Sequence, residues 1–117
     1  MAIQKWSDAI TVVELADDPQ FTDDLTAVTE STEAAPQHVV LNFAAVGFIN
    51  SSNVAKLLRL RKAVTMQQRK LILCEVNTQV WSVFLVTGLD KIFEFTNGVA
   101  IALASLQLAD QGAAGGE

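Results

Sequence analysis

The sequence has one cysteine, one histidine, two prolines and no tyrosine, and it has no long uninterrupted apolar run. A single cysteine cannot close an internal disulfide, so the composition suits a reducing compartment. Cysteine and histidine are together too few to assemble a structural zinc or iron–sulfur centre, and no metal is expected. A bilayer-spanning helix needs roughly twenty consecutive apolar residues, and the opening MAIQKWSDAI lacks the basic-then-apolar order of a secretion signal. The expectation is a cytoplasmic protein without direct membrane insertion. Neither a GxGxxG loop nor a P-loop occurs, which removes the usual dinucleotide and nucleotide-phosphate sites; no cofactor is expected. Basic residues are also in the minority, eight against thirteen acidic, for a net charge of −5. Nonspecific nucleic-acid binding needs a basic face to neutralise phosphates and would be opposed by this field.

What is present is a chain of 117 residues, half of them hydrophobic. A domain of that size hides roughly two thirds of its unfolded surface, enough for one self-sufficient core. The charges segregate. Glu14, Asp17, Asp18, Asp23, Asp24, Glu30 and Glu33 crowd the first third, whereas Lys56, Arg59, Arg61, Lys62, Arg69 and Lys70 crowd the middle. Either face is a solvated surface or one that a polar protein partner reads.

Strand and helix patterns alternate along the chain. Ile10 to Leu15 is a short β-branched run stopped by Asp17-Asp18-Pro19. Phe21, Leu25 and Val28 recur at helical spacing and predict a helix from Phe21 to about Thr32, with Thr22 as its cap. Val39 to Phe43 reads as a strand buried on both faces. A second helix follows from about Ser52 to Met66, with Asn50 or Ser51 as N-cap and a core stripe of Val54, Leu57, Leu58 and Val64, edged by Leu60. Arg61 falls within that apolar arc and is expected to lay its stem along the core edge, its head reaching water or an acidic partner. Leu71 to Glu75 is a third buried-type strand, Asn77 to Gly88 bounds a third helix, Ile92 to Phe95 is the last strand, and Val99 to about Leu108 the last helix. The glycine-rich tail 109–117 is expected to be disordered, leaving 1–108 as a single domain. The fold class is therefore α/β, a mixed sheet of about four to five strands with four helices packed mainly on one side.

Convergent reactive groups are missing. His38 stands alone in a strand-entry loop and reads as solvated, Cys74 as a core residue, and the pairs Asp17-Asp18 and Asp23-Asp24 as loop and helix-start residues. No catalytic residue is assigned, and the chain reads as non-enzymatic. The informative stretch is Val39 to Leu60, VVLNFAAVGFINSSNVAKLLRL: a buried strand, a short connection, and a helix whose first turn carries two adjacent serines. Ser51 and Ser52 either cap that helix or present a phosphate acceptor where backbone N–H groups and the helix dipole favour an anion.

This stretch resembles the core of a STAS domain, the sulfate-transporter and anti-sigma-factor-antagonist family. The likeness is carried by Phe48-Ile49-Asn50-Ser51-Ser52-Asn53, where the family has Phe-Ile, Asp-Ser-Ser/Thr-Gly and a leucine-rich helix. It continues through Leu57-Leu58, the strand Leu71-Ile72-Leu73-Cys74, Val80, Val83 and Thr87-Gly88-Leu89-Asp90-Lys91-Ile92-Phe93, from about residue 10 to 108. The resemblance implies a regulatory binding protein whose partner is a serine kinase that doubles as an anti-sigma factor. It places the phosphorylated hydroxyl at Ser51, with Ser52 as second choice, and the partner-binding surface at Asn50, Ser51, Ser52, Asn53, Lys56 and Arg59. Asn50 stands where the family has an acidic residue and Asn53 where it has glycine. Those two changes favour an alternative, a constitutive docking module of a signalling scaffold or an ABC-transporter ATPase complex. The opening is read as shortened relative to the family's two strands. On the third helix, Val80, Val83, Phe84 and Val86 are expected in the core, while Trp81 and Leu85 are expected to be exposed together as a second interface, for a partner or a homodimer.

Overall fold

The computed structural model describes residues 3–115. In chain order the elements are β1 (Ile3–Lys5), β2 (Ile10–Ala16), α1 (Gln20–Ala34), β3 (His38–Ala45), α2 (Ser51–Met66), β4 (Leu71–Cys74), α3 (Thr78–Thr87), a 3₁₀ turn (Leu89–Lys91), β5 (Glu94–Thr96) and α4 (Val99–Gly115). The strands form one sheet in sequence order. The first pair is antiparallel and the others are parallel, so the sheet is mixed.

The period of two along each strand sorts the core into two layers. Val13, Leu41 and Leu73 lie side by side across three strands, as do Val12, Val40 and Ile72 one residue earlier. The first row faces the larger core under α1, α2 and α3, with Phe21, Leu25, Leu57, Leu60, Val80 and Phe84. The second row faces α4, which contributes Ala102 and Leu106. Each fully buried Leu or Phe in these rows is worth about 1.5–3 kcal/mol of transfer free energy. A run of edge-to-face aromatic pairs crosses the larger core from Phe21 to Phe43, Phe84 and Phe95, ending at Trp81.

Local chemistry places the helix ends. Asn77 caps α3 by accepting the Val80 N–H at 2.8 Å. Gly88 closes the helix at φ 76°, a left-handed conformation that glycine adopts without penalty. Helix α1 is entered differently from the expectation. Its N-cap position is Pro19, and Thr22 is not the cap; the Asp18 carboxylate accepts both the Thr22 N–H (2.9 Å) and the Thr22 hydroxyl (2.7 Å).

Several further expectations are corrected. The opening is not shortened: β1 pairs with β2, and the N–H groups of Trp6 and Ser7 both donate to the Ile10 carbonyl. Three residues with one apolar side chain carry too little periodicity to announce a strand. His38 is not a solvated loop residue. It opens β3 beside Ile10, is 6 % exposed, and its Nδ1 accepts the Lys70 N–H at 2.9 Å. Arg61 turns its head back onto the protein, Nε donating to the Ile92 carbonyl at 3.1 Å. Helix α4 is described as far as Gly115, so it includes residues 109–115 of the expected tail. The last residues of the expected tail, 116–117, lie outside the described residues.

On α3 the buried arc centres on Val80 and Phe84. At about 100° per residue, Trp81 and Val83 flank that arc, while Leu85 and Val86 point away from it. Trp81 is therefore half-buried against Phe95, ring centroids 4.9 Å apart, and not exposed beside Leu85. Val86, expected in the core, is 87 % exposed.

Candidate functional site

The candidate site forms where β3 passes into α2. Leaving the strand, Val46 folds inward and its N–H returns to the Phe43 carbonyl. The next N–H, of Gly47, donates to Asp17 Oδ1 at 2.8 Å, which ties this loop to the one after β2. Phe48 then stands out at 64 % exposed, while Ile49 is buried beneath the start of the helix.

Asn50 is the N-cap of α2, and the cap is reciprocal. Its Oδ1 accepts the Asn53 N–H at 2.8 Å, and the Asn53 Oδ1 accepts the Asn50 N–H at 3.0 Å. Two of the N–H groups at the chain's entry into the helix are thereby satisfied by a capping box built from asparagines. Asn53 is buried, and its Nδ2 donates to Asp18 Oδ2 at 2.9 Å. The side chain that stands in place of the family's glycine thus turns inward and joins the start of α2 to the start of α1. Asp18 accepts three hydrogen bonds, two from Thr22 and one from Asn53, with Lys56 near, and its carboxyl is held below the usual carboxylate value. The Thr22 hydroxyl contributes most, then Asn53, with the Thr22 N–H and Lys56 adding to them, against an opposing effect of burial.

The two serines differ. Ser51 and Ser52 are both exposed at the first two positions of the helix. The Ser52 hydroxyl accepts from Lys56 Nζ at 2.9 Å, whereas the Ser51 hydroxyl has no hydrogen bond to another described residue. Lys56 and Arg59 line a groove of about 260 Å³ between α1 and α2, floored by Leu25, Thr29 and Ala55. Arg59 also approaches Glu33 at 3.8 Å, an exposed pair of little energetic weight. The structure brings Asn50, Ser51, Ser52 and Lys56 together at the start of α2; Asn53, expected on the partner-binding surface, is buried with its side chain turned to Asp18, and Arg59 lies two turns further along the helix beside Glu33. Trp81 and Leu85 lie apart on α3. Sequence reasoning missed Asp17 and Asp18 as fasteners of this site, and Phe48 as its exposed apolar neighbour. The signal for the two aspartates is their place just after β2, since loops that follow neighbouring parallel strands emerge at the same sheet edge.

Among the described residues no group of three or more His, Cys, Asp or Glu side chains is placed to hold a metal ion. No helix there is long and apolar enough to cross a membrane.

The architecture defines a small mixed α/β module that presents a capped helix N-terminus with a free hydroxyl at its surface. The STAS domain family model matches residues 13–102, and the chain belongs to that family. Its fold is shared by an anti-sigma-factor antagonist (STAS) domain protein from Planctomyces limnophilus, 21% identical with a TM-score of 0.76, covering 90% of this chain and 97% of that one. A variant of RsbS from Moorella thermoacetica superposes with a TM-score of 0.79 at 14% identity, covering 93% of this chain and 96% of the other. The anti-sigma factor antagonist SpoIIAA in its unphosphorylated form gives 0.77 at 16% identity, over 90% and 94% of the two chains. No curated protein matches the chain.

Proposed function

We propose that this protein is a non-enzymatic regulator of the anti-sigma-factor-antagonist type. It binds a serine kinase that doubles as an anti-sigma factor, and phosphorylation of Ser51 by that partner ends the contact. One observation carries the reading: the Asn50–Asn53 capping box already performs the structural task that a serine at this place would otherwise have. Ser51 is left exposed and without a hydrogen-bond partner among the described residues, whereas Ser52 is engaged by Lys56. Phe48 beside it supplies an apolar anchor, and Lys56 and Arg59 supply charge for an acidic partner surface.

A phosphate on Ser51 adds about −1.5 to −2 charge at the positive end of a helix, near Lys56. The domain accommodates it. In a packed interface the same dianion must be desolvated and meets any acidic partner group, so association weakens while the fold persists. The test is the intact mass of the protein from its own cells, with peptide mapping across Phe48 to Leu58 and identification of co-purifying proteins. Phosphate on Ser51 together with a kinase partner supports the switch. A second reading, a constitutive docking module in a scaffold or transporter ATPase complex, is favoured by the neutral Asn50, which is pinned in the capping box and carries no charge toward a kinase. An unmodified chain held stoichiometrically by a partner that is not a kinase would establish that reading instead.

A further inference from the structure

A second concavity, of about 530 Å³, opens at the same sheet edge between the turns that follow β4 and β5. Its origin is topological. The chain leaving β4 enters α3 on one face of the sheet, whereas the chain leaving the adjacent parallel β5 enters α4 on the opposite face. Neighbouring connections that part to opposite faces leave a crevice beyond the strand ends, the usual place for a ligand in a parallel α/β sheet.

Three features give the crevice its chemistry. Trp81 and Phe95 form an aromatic wall. Glu75, the first residue after β4, holds a left-handed conformation at φ 61°, which is unfavourable for a glutamate and puts strain at this position. Its side chain reaches across to the start of α4, where Oε2 lies 3.4 Å from the place a Cβ on Gly98 would occupy. The carboxylate has no hydrogen bond or ion pair with another described residue. The neighbouring polar groups are already engaged: Asn77 by Val80 and the Val46 carbonyl, and the Thr96 hydroxyl by the Gly98 carbonyl. No lining side chain is cationic. A ligand therefore meets a carboxylate, the Asn97 amide and two aromatic rings.

We propose that this crevice binds the guanidinium of an arginine side chain presented by a protein partner. A guanidinium is planar, stacks on aromatic rings, and forks two N–H groups onto one carboxylate, which matches Trp81 and Glu75 side by side. A neutral or anionic group would leave the Glu75 carboxylate uncompensated. The crevice and Ser51 lie on different loops, so this binding is separable from the phosphorylation reading.

The test uses a Trp6→Phe background, in which Trp81 is the single tryptophan. Capped arginine amide and a capped Gly-Arg-Gly peptide are titrated against their citrulline counterparts, which keep the shape and lose the charge. The expected result is a saturable change in Trp81 fluorescence with the arginine compounds, tighter for the peptide, and absent with citrulline. Glu75→Gln should weaken binding at least about tenfold, the loss expected for a charge-assisted pair, with Tm unchanged. Trp81→Leu, followed by calorimetry, should abolish it. The proposal is overturned if citrulline binds as well as arginine, if Glu75→Gln leaves affinity unchanged, or if the arginine compounds give no saturable response. A peptide that binds no more tightly than the free amide would overturn the assignment to a protein partner.

Discussion

Asn53 donates from Nδ2 to Asp18 Oδ2 at 2.9 Å, and this bond fastens the first turn of α2 to the chain entering α1 across thirty-five residues of sequence. The same side chain closes the capping box with Asn50 through its Oδ1. One buried amide therefore sets both the start of the helix that carries Ser51 and its position against the neighbouring helix. Asn53→Ala should remove both contacts and lower stability by about 1–3 kcal/mol, read by urea unfolding. Asn53→Asp keeps a cap acceptor but faces the Asp18 carboxylate, and should destabilise as well.

Asp18 gives that bond a pH dependence. Its carboxyl titrates below the ordinary value because Thr22 and Asn53 donate to the ionised form. A carboxyl whose folded value is depressed contributes stability that is present above its unfolded value, near pH 4, and is lost as pH falls through the lower folded value. Stability should therefore decline on acidification below about pH 4, and Asp18→Asn should flatten that limb. Unfolding midpoints collected across the acid range measure the difference.

At Ser51, a negative charge sits at a helix N-terminus and beside no packed neighbour. Ser51→Asp should leave Tm nearly unchanged and weaken partner binding, with Ser51→Ala unaffected in both fold and basal binding. Thermal unfolding and partner titration, run on the same preparations, separate the effects. A large drop in Tm would show that the hydroxyl is structural.

Helix α2 ends in a Schellman turn with the wrong residue for it. The Arg69 N–H returns to the Val64 carbonyl (3.1 Å) and the Gln68 N–H to that of Thr65 (3.0 Å), with Gln68 at φ 59°. Glycine occupies that left-handed position without a Cβ penalty. Gln68→Gly should relieve a left-handed backbone cost of about 1–2 kcal/mol, partly offset by the about 0.4–1 kcal/mol of extra unfolded-state freedom that glycine brings, for a net gain visible as a higher Tm. Glu75→Gly should also relax a left-handed residue, but at the expense of guanidinium binding, a trade expected where strain serves a site.

Cys74 is buried at the end of β4 and its Sγ lies 3.4 Å from the Leu41 carbonyl. Burial, with the Glu75 charge adding to it, pushes its thiol up to about 11. Only the thiolate attacks a disulfide reagent, so native protein near pH 8 should react slowly, at a rate that follows unfolding. Fast reaction without denaturant would contradict the burial.

What could be read along the chain was whatever depends on near neighbours. Ile10–Leu15, Val39–Phe43 and Leu71–Cys74 announce themselves by β-branched and apolar runs, and α2 and α3 by Asn caps and apolar periodicity. The serine pair at the head of α2 follows from the same local pattern. Asn53 shows the limit: its type at that spacing is visible, but that its side chain turns inward depends on Asp18, far away in sequence.

The sequence by itself thus determined the alternation of strands and helices and the place of Ser51, because periodicity and caps act within a few residues. Only the tertiary structure decided that His38 is buried, that Asp17 and Asp18 fasten two loops, and that Trp81 meets Phe95 while Val86 faces solvent. It also decided that α4 takes the opposite face of the sheet, opening the crevice beside Glu75. These outcomes depend on strand register and on which face each crossover follows, and both are settled by burying all the apolar rows at once.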